Sequence, residues 1–184
     1  MDKNKAFLLA LPAIGAAFLA VLSQLSFSIG TIPITLQTFA VGLIATIFKP
    51  REAVLSVLLY LLLGAIGLPV FAGGSGGFQA LLGPSAGYLW AYLLFALVTS
   101  SLTSKDSKFY TIFLANLLGD ALVFVGGVIG LHFLANMGFS KAIAVGVTPF
   151  ILPDLLKIVA ITLISIPMFR SLAFHPYFSD NKNG

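Results

Sequence analysis

Long apolar runs separated by short polar or charged breaks set the pattern of this chain. Six runs predict helices, at about 6–27, 34–48, 52–68, 84–102, 109–135 and 148–170. About 20 apolar residues cross the hydrocarbon of a bilayer as a helix. The first run follows Lys3 and Lys5 and exceeds the roughly 7–15 apolar residues of a signal-peptide core, so it reads as a retained first helix. The second is the shortest, and is expected to tilt little or to lie partly outside the hydrocarbon. No internal repeat or domain boundary interrupts the series. The pattern predicts an all-α integral membrane protein, a single domain over 1–184 with six transmembrane helices.

Composition strengthens that reading. Hydrophobic residues make up 59% of the chain and charged ones 9%, against about 25% charged in an ordinary soluble domain. So much apolar surface needs lipid as its partner. Cysteine is absent, which excludes disulfides, iron–sulfur clusters, thiolate zinc sites and cysteine nucleophiles. His132 and His175 lie far apart without ligand spacing, so no metal site is expected.

The basic residues orient the predicted helices. With the N-terminus in the cytoplasm, the inner segments carry Lys3, Lys5, Lys49, Arg51, Lys105, Lys108, Arg170 and Lys182, and the outer ones only Lys141. That asymmetry follows the positive-inside rule and puts both termini of a multi-pass membrane protein in the cytoplasm. It also accounts for the net charge of +4 without nucleic acid, which is rejected as a partner. Two outer segments, 28–36 and 69–84, carry no charge. Solvated loops are polar, so these are expected to fold back against the helices.

Ionisable residues within a membrane are costly and point to function. Three fall inside the predicted spans: Asp120, Asp154 and Lys157. Asp154 and Lys157, three apart, share a helix face and can partly neutralise each other, or form a merely structural ion pair. Asn116 and Asp120, four apart, share another. Pro153 suits the first position of a helix. A helix starting there puts Asp154 in its first turn, where the positive end of the dipole favours a carboxylate. A continuous, proline-kinked helix from about 141 is the alternative, and both keep the pair nearer the outside.

The run Gly73-Gly74-Ser75-Gly76-Gly77 is not a nucleotide loop, since it lacks the Lys of a Walker motif. It reads either as a flexible connector or, with Phe71, Phe78, Gln79 and Tyr88 around it, as a packed segment near a ligand. In the first helix, Ala13/Ala17 and Ala16/Ala20 form small-residue pairs that permit close approach of another helix, from a partner or from the same protein. No nucleophile–base or acid–base set can be assembled, so the chain is not read as an enzyme. An ATPase motif is missing too, so energised transport would need another subunit.

The segment Tyr60-Leu-Leu-Leu-Gly-Ala-Ile-Gly-Leu-Pro-Val-Phe-Ala-Gly-Gly-Ser-Gly-Gly-Phe-Gln79 and its continuation Leu82-Gly-Pro-Ser-Ala-Gly-Tyr-Leu89 resemble the core signature of the BioY family. Ile34-Thr-Leu-Gln-Thr38 and Pro153-Asp-Leu-Leu-Lys157 match further elements, although Pro153 stands where Gly is expected in many relatives. The resemblance spans roughly 30–170. It implies a six-helix S component that captures biotin, with a transmembrane coupling subunit and two cytoplasmic ATPases completing an energy-coupling factor (ECF) transporter. It further implies that the alanine pairs dock the coupling subunit. No cofactor is expected beyond biotin as transported ligand.

The residues suit that ligand. Asp154 can accept from the ureido N–H groups of biotin, and Lys157 can donate to its ureido carbonyl or its carboxylate. Phe71, Tyr88 and Trp90 are candidates for an apolar wall. Gln37, Gly73, Gly74, Gly77, Gln79, Asn116 and Asp120 complete the expected binding set. The alternatives are an S component for another small vitamin, a channel, a membrane enzyme or a scaffold. A channel needs polar residues along several helices, whereas the polar groups here concentrate on the fifth and sixth.

Overall fold

The structure is a computed structural model and describes residues 3–28 and 32–179. Residues 29–31 of the first uncharged outer segment and the basic residue Lys182 lie outside the described residues.

Five helices follow the predicted runs closely. They are α1 (Lys3–Ser23), α2 (Gln37–Ile47), α3 (Pro50–Ala65), α4 (Ala86–Leu102) and α5 (Phe109–Leu134). A short helix not predicted, α6 (Phe139–Gly146), comes next, and across a turn from it the sixth run corresponds to α7 (Ile151–Leu172). A last short helix, α8 (Pro176–Ser179), closes the described chain. The continuous helix from 141 is therefore not formed. Pro153 is the third residue of α7, where its missing N–H falls among the first-turn donors that have no helical partner anyway.

Two helices, α5 and α7, are long and apolar enough to cross a membrane, and α2, α4 and α1 from Phe7 onward are shorter apolar helices. At about 1.5 Å per residue α2 reaches only some 17 Å. Nine of its eleven residues are buried, because it runs through the middle of the bundle against α4, α7 and α1. The outside of the bundle is apolar, with Leu9, Phe133, Leu152 and Leu156 among its most exposed residues. Its inside holds Thr46, Ser56, Ser100 and Thr162, fully buried. Their hydroxyls donate to carbonyls one turn back, at 2.5–2.8 Å, so none is left unpaired. Polar-in and apolar-out is the distribution that suits lipid.

The helix pair α4–α5 crosses closely through glycine. A Cβ at Gly87 would meet the Gly126 carbonyl oxygen at 2.1 Å. At the end of the bundle where α2 meets α3, Tyr177 of α8 ties the chain together. Its hydroxyl accepts from the Lys49 backbone N–H at 2.7 Å and donates to Glu52 at 3.2 Å. The neighbouring Thr103 hydroxyl donates to the Thr46 carbonyl at 3.1 Å. Lys49, Arg51, Lys105, Lys108 and Arg170 all sit on helix ends or loops at this end, and Lys141 lies on α6 at the other.

At that opposite end the chain departs from pure helix. Ser26–Ser28 pairs antiparallel with Pro33–Thr35, with Phe27 opposite Ile34. The sequence did not predict this hairpin, because three-residue strands are too short to show an alternating pattern. The glycine-rich segment folds back as expected of an uncharged loop. It forms two 3-10 turns, Ala72–Gly74 and Phe78–Leu81, and the Gly77 N–H donates to the Gly64 carbonyl at 2.7 Å.

Candidate ligand site

The turn 147–150 aims the first helical turn of α7 into the bundle, where Asp154 and Lys157 meet Thr38 at the start of α2, and α7 packs on α2 and α5. Asp154 is 3% exposed, although it sits in a helix with an apolar outer face. Its Oδ1 accepts from the Lys157 ammonium at 2.5 Å and from the Thr38 hydroxyl at 3.0 Å. The Thr38 oxygen in turn lies 3.0 Å from Lys157 Nζ, so it accepts from the amine while it donates to the carboxylate. Three residues thus share one closed polar triangle. Asp154 Oδ2 makes no hydrogen bond among the described residues and remains open as an acceptor.

This triangle lies at one side of a cavity of about 80 Å³. A single buried water needs roughly 10–15 Å³ on the same measure, so the space exceeds a few waters. Thr35, Gln37 and Thr38 line it from the hairpin and α2, Phe71, Ala72 and Ser75 from the folded-back loop, Ser85, Tyr88, Leu89 and Tyr92 from the start of α4, and Val123 and Phe124 from α5. Asp154 and Lys157 form the charged side, and Phe150, Ile32, Pro33 and Ala80 complete the lining. Opposite charges stand on one side and aromatic rings on the others. Such a cavity can hold a small molecule with a hydrogen-bonding head and an apolar body.

Gln37 organises a second polar cluster. Its amide nitrogen donates to the Tyr60 hydroxyl at 2.6 Å, and its amide oxygen accepts from Thr35 at 3.0 Å and Tyr92 at 3.4 Å. The Tyr88 hydroxyl donates to the Gly146 carbonyl at 2.7 Å, which links the wall to α6. Phe71 is buried in a notch at Gly64, where a Cβ would strike its ring at 2.0 Å. It also packs edge-to-face on Tyr60, with centroids 5.3 Å apart.

The expected binding residues therefore divide. Asp154, Lys157, Gln37, Phe71 and Tyr88 converge on the cavity. Gly73, Gly74 and Gly77 adopt φ of +66°, +75° and +96°, a left-handed backbone that favours glycine, and Gly73 and Gly74 bend the chain between Ala72 and Ser75 of the wall. Gln79 is exposed on the loop. Trp90 is about half exposed on the outer side of α4 and donates to the Leu81 carbonyl at 3.2 Å, away from the cavity. Asn116 cross-links α5 to α2, its amide donating to Thr46 and to the Ile112 carbonyl, both at 2.9 Å. Asp120 is buried one turn further out, within electrostatic reach of Asp154 and Lys157, and has no hydrogen-bond partner among the described residues. Neither of these two lines the cavity. Sequence reasoning missed Thr38 and Tyr92. Tyr92 lies one helical turn from Tyr88, a spacing that puts both on one face and could have found it.

The alanine pairs also separate. Ala13 and Ala17 are exposed on α1, whereas Ala16 is buried and Ala20 packs against the core. The two pairs sit about a sixth of a turn apart on the helix, and α1 packs mainly against α3.

An apolar-coated helical bundle with one charged-sided cavity belongs to the class of membrane-embedded solute-binding proteins. Within that class the chain belongs to the BioY family, whose sequence profile matches residues 2–174. It is 41% identical over 182 residues to the biotin transporter BioY2 of Lactococcus lactis subsp. cremoris, covering 98% of this chain and 100% of that protein. Identity to the biotin transporter BioY of Thermotoga maritima is 39% over 150 residues, covering 82% of this chain and 88% of that one. A crystal structure of the S-component for biotin from an ECF-type ABC transporter matches the fold with a TM-score of 0.88 at 28% identity, over 97% of this chain and 98% of that one.

The polar triangle makes a prediction about stability. Lys157→Met strands a buried carboxylate, a change that costs about 3–5 kcal/mol when one partner of a buried pair is removed. The double variant Asp154→Asn/Lys157→Met leaves no charge and is expected to recover most of the loss. Thermal unfolding in detergent checks this, and a double variant as unstable as Lys157→Met would contradict it.

Proposed function

We propose that the chain is the biotin-capturing membrane subunit, the S component, of an energy-coupling factor transporter. The observation that carries the reading is the Asp154–Lys157–Thr38 triangle beside an aromatic-walled cavity in a protein of this family. Biotin offers two ureido N–H donors, a ureido carbonyl, an apolar thioether ring and a carboxylate tail. The open Asp154 Oδ2 accepts from a ureido N–H, and Lys157 donates to a carbonyl or carboxylate oxygen. The rings of Phe71, Tyr88 and Tyr92 flank the apolar body. A site with buried polar groups matched in this way rejects analogues that lack the matching atoms, because its own groups are then left unpaired.

In this reading the bundle spans the bacterial plasma membrane six times, with both termini in the cytoplasm and the cavity opening outward. A transmembrane coupling subunit and two cytoplasmic ATPases supply the energy, and Ala13 and Ala17 form the docking face on α1. Binding needs none of these partners. Calorimetry on the purified subunit in detergent is expected to give saturable one-to-one biotin binding without ATP. Asp154→Asn and Lys157→Ala, once shown to be folded by size exclusion, are expected to lose tenfold or more in affinity. Absence of saturable binding by the wild type would overturn the reading, and wild-type affinity in both variants would leave the pair a structural role.

Ala17→Trp tests the docking face. A bulky ring there holds a partner helix away, and Ala17 is exposed and outside the cavity. Co-purification with the coupling subunit is expected to fail while biotin affinity stays within about twofold of wild type, since no lining residue is altered. Intact assembly would remove this face from the interface.

A further inference from the structure

The outer end of α1 holds the segment that carries the Phe71 wall. Ser23, the last residue of α1, is fully buried. Its hydroxyl lies 2.7 Å from the Ala20 carbonyl and contacts the Val70 carbonyl, 47 residues away in sequence. The next residue, Gln24, is exposed. Its amide nitrogen lies 3.2 Å from the Pro69 carbonyl and 3.4 Å from the Phe71 carbonyl, and 3.0 Å from both Ala20 O and Ser23 Oγ. The three protons of these two adjacent side chains are thus within reach of three consecutive carbonyls of the folded-back loop, shared with the contacts back to Ala20 and Ser23. Neither side chain lines the cavity.

What they hold does line it. The Phe71 ring forms part of the cavity wall, and its backbone N–H donates to Ser75, another lining residue, at 2.9 Å. Few other bonds fix this segment to the bundle. Pro69 has no N–H, and the Val70 N–H turns back to Leu68 within the loop. The Phe71 ring is seated by the Gly64 notch and Tyr60, and the backbone behind it is held by donors supplied by α1, the helix that also presents the exposed Ala13 and Ala17 face.

We infer that Ser23 and Gln24 are positioning residues for the ligand site, clamping the carbonyls of residues 69–71 so that the residence time of the ligand follows the position of the outer end of α1. Movement of that end draws the three carbonyls with it and shifts Phe71 at the cavity. The inference rests on the biotin reading for its ligand, but the clamp itself is a property of the empty protein.

Gln24 gives a clean test because it is exposed and its replacement disturbs no core. Gln24→Glu keeps the shape and loses the amide donors, whereas Gln24→Lys restores a donor. Losing one or two neutral hydrogen bonds corresponds to a rate change on the order of tenfold. Stopped-flow release of biotin is expected to be about tenfold faster in Gln24→Glu and Ser23→Ala, near wild type in Gln24→Lys, and no faster in Gln24→Glu/Phe71→Ala than in Phe71→Ala alone. A second arm needs no ligand. The chain has no cysteine, so a spin label on Ser75→Cys reports the loop alone. Its mobility is expected to rise with Gln24→Glu and to return with Gln24→Lys. Unchanged release and unchanged mobility in Gln24→Glu, or equal effects of the Glu and Lys variants, would overturn the clamp. A wild type that binds no biotin but shows the mobility change would overturn the biotin reading and leave the clamp standing.

Discussion

A charged pair enclosed by apolar helices is the constraint on which the rest of this structure turns. Asp154 and Lys157 cannot face lipid at acceptable cost, nor stay unpaired inside. The fold answers by breaking the chain between α6 and α7, so that the first turn of α7 points inward and Thr38 of α2 closes the triangle. That requirement places α2 at the centre of the bundle, buried on nearly all sides. It also leaves one carboxylate oxygen open beside a cavity walled by aromatic rings. In the proposed reading, stability and recognition draw on the same three side chains.

Much of the fold was legible because the signal is coarse. Apolar runs mark helices, and runs such as 84–102 and 109–135 differ from α4 and α5 by only a residue or two at their ends. The family signature was equally legible in the glycine-rich segment and its flanks, and the chain belongs to that family. The hairpin, α6 and α8 were not legible, since three to eight residues leave too little periodicity to separate from a loop. The first run extends four residues past the end of α1 because Leu25 and Phe27 carry its apolar character on, and the turn at Gln24 ends the helix.

At the site, charge told more than aromaticity. Asp154 and Lys157 stood out because each is expensive where it lies. Thr38 did not, because a threonine in an apolar helix is ordinary until a charged pair is found beside it. Trp90 shows the converse. A lone tryptophan next to the signature suggested a ligand wall, yet the face of α4 that meets the cavity is the one bearing Tyr88 and Tyr92, and Trp90 looks outward. Helical phase decides such cases, and phase becomes readable only once one residue of the face is known. The same holds for α1, where Ala16 and Ala20 turn into the bundle and only Ala13 and Ala17 stay open.

The most direct measurement is an experimental structure of the protein with biotin bound. Ligand density is expected in the cavity between α2, α4 and α7, with a biotin heteroatom within about 3.2 Å of Asp154 Oδ2 or Lys157 Nζ and the thioether ring against Phe71, Tyr88 or Tyr92. Biotin bound elsewhere, with the Asp154–Lys157–Thr38 triangle closed and untouched, would contradict it.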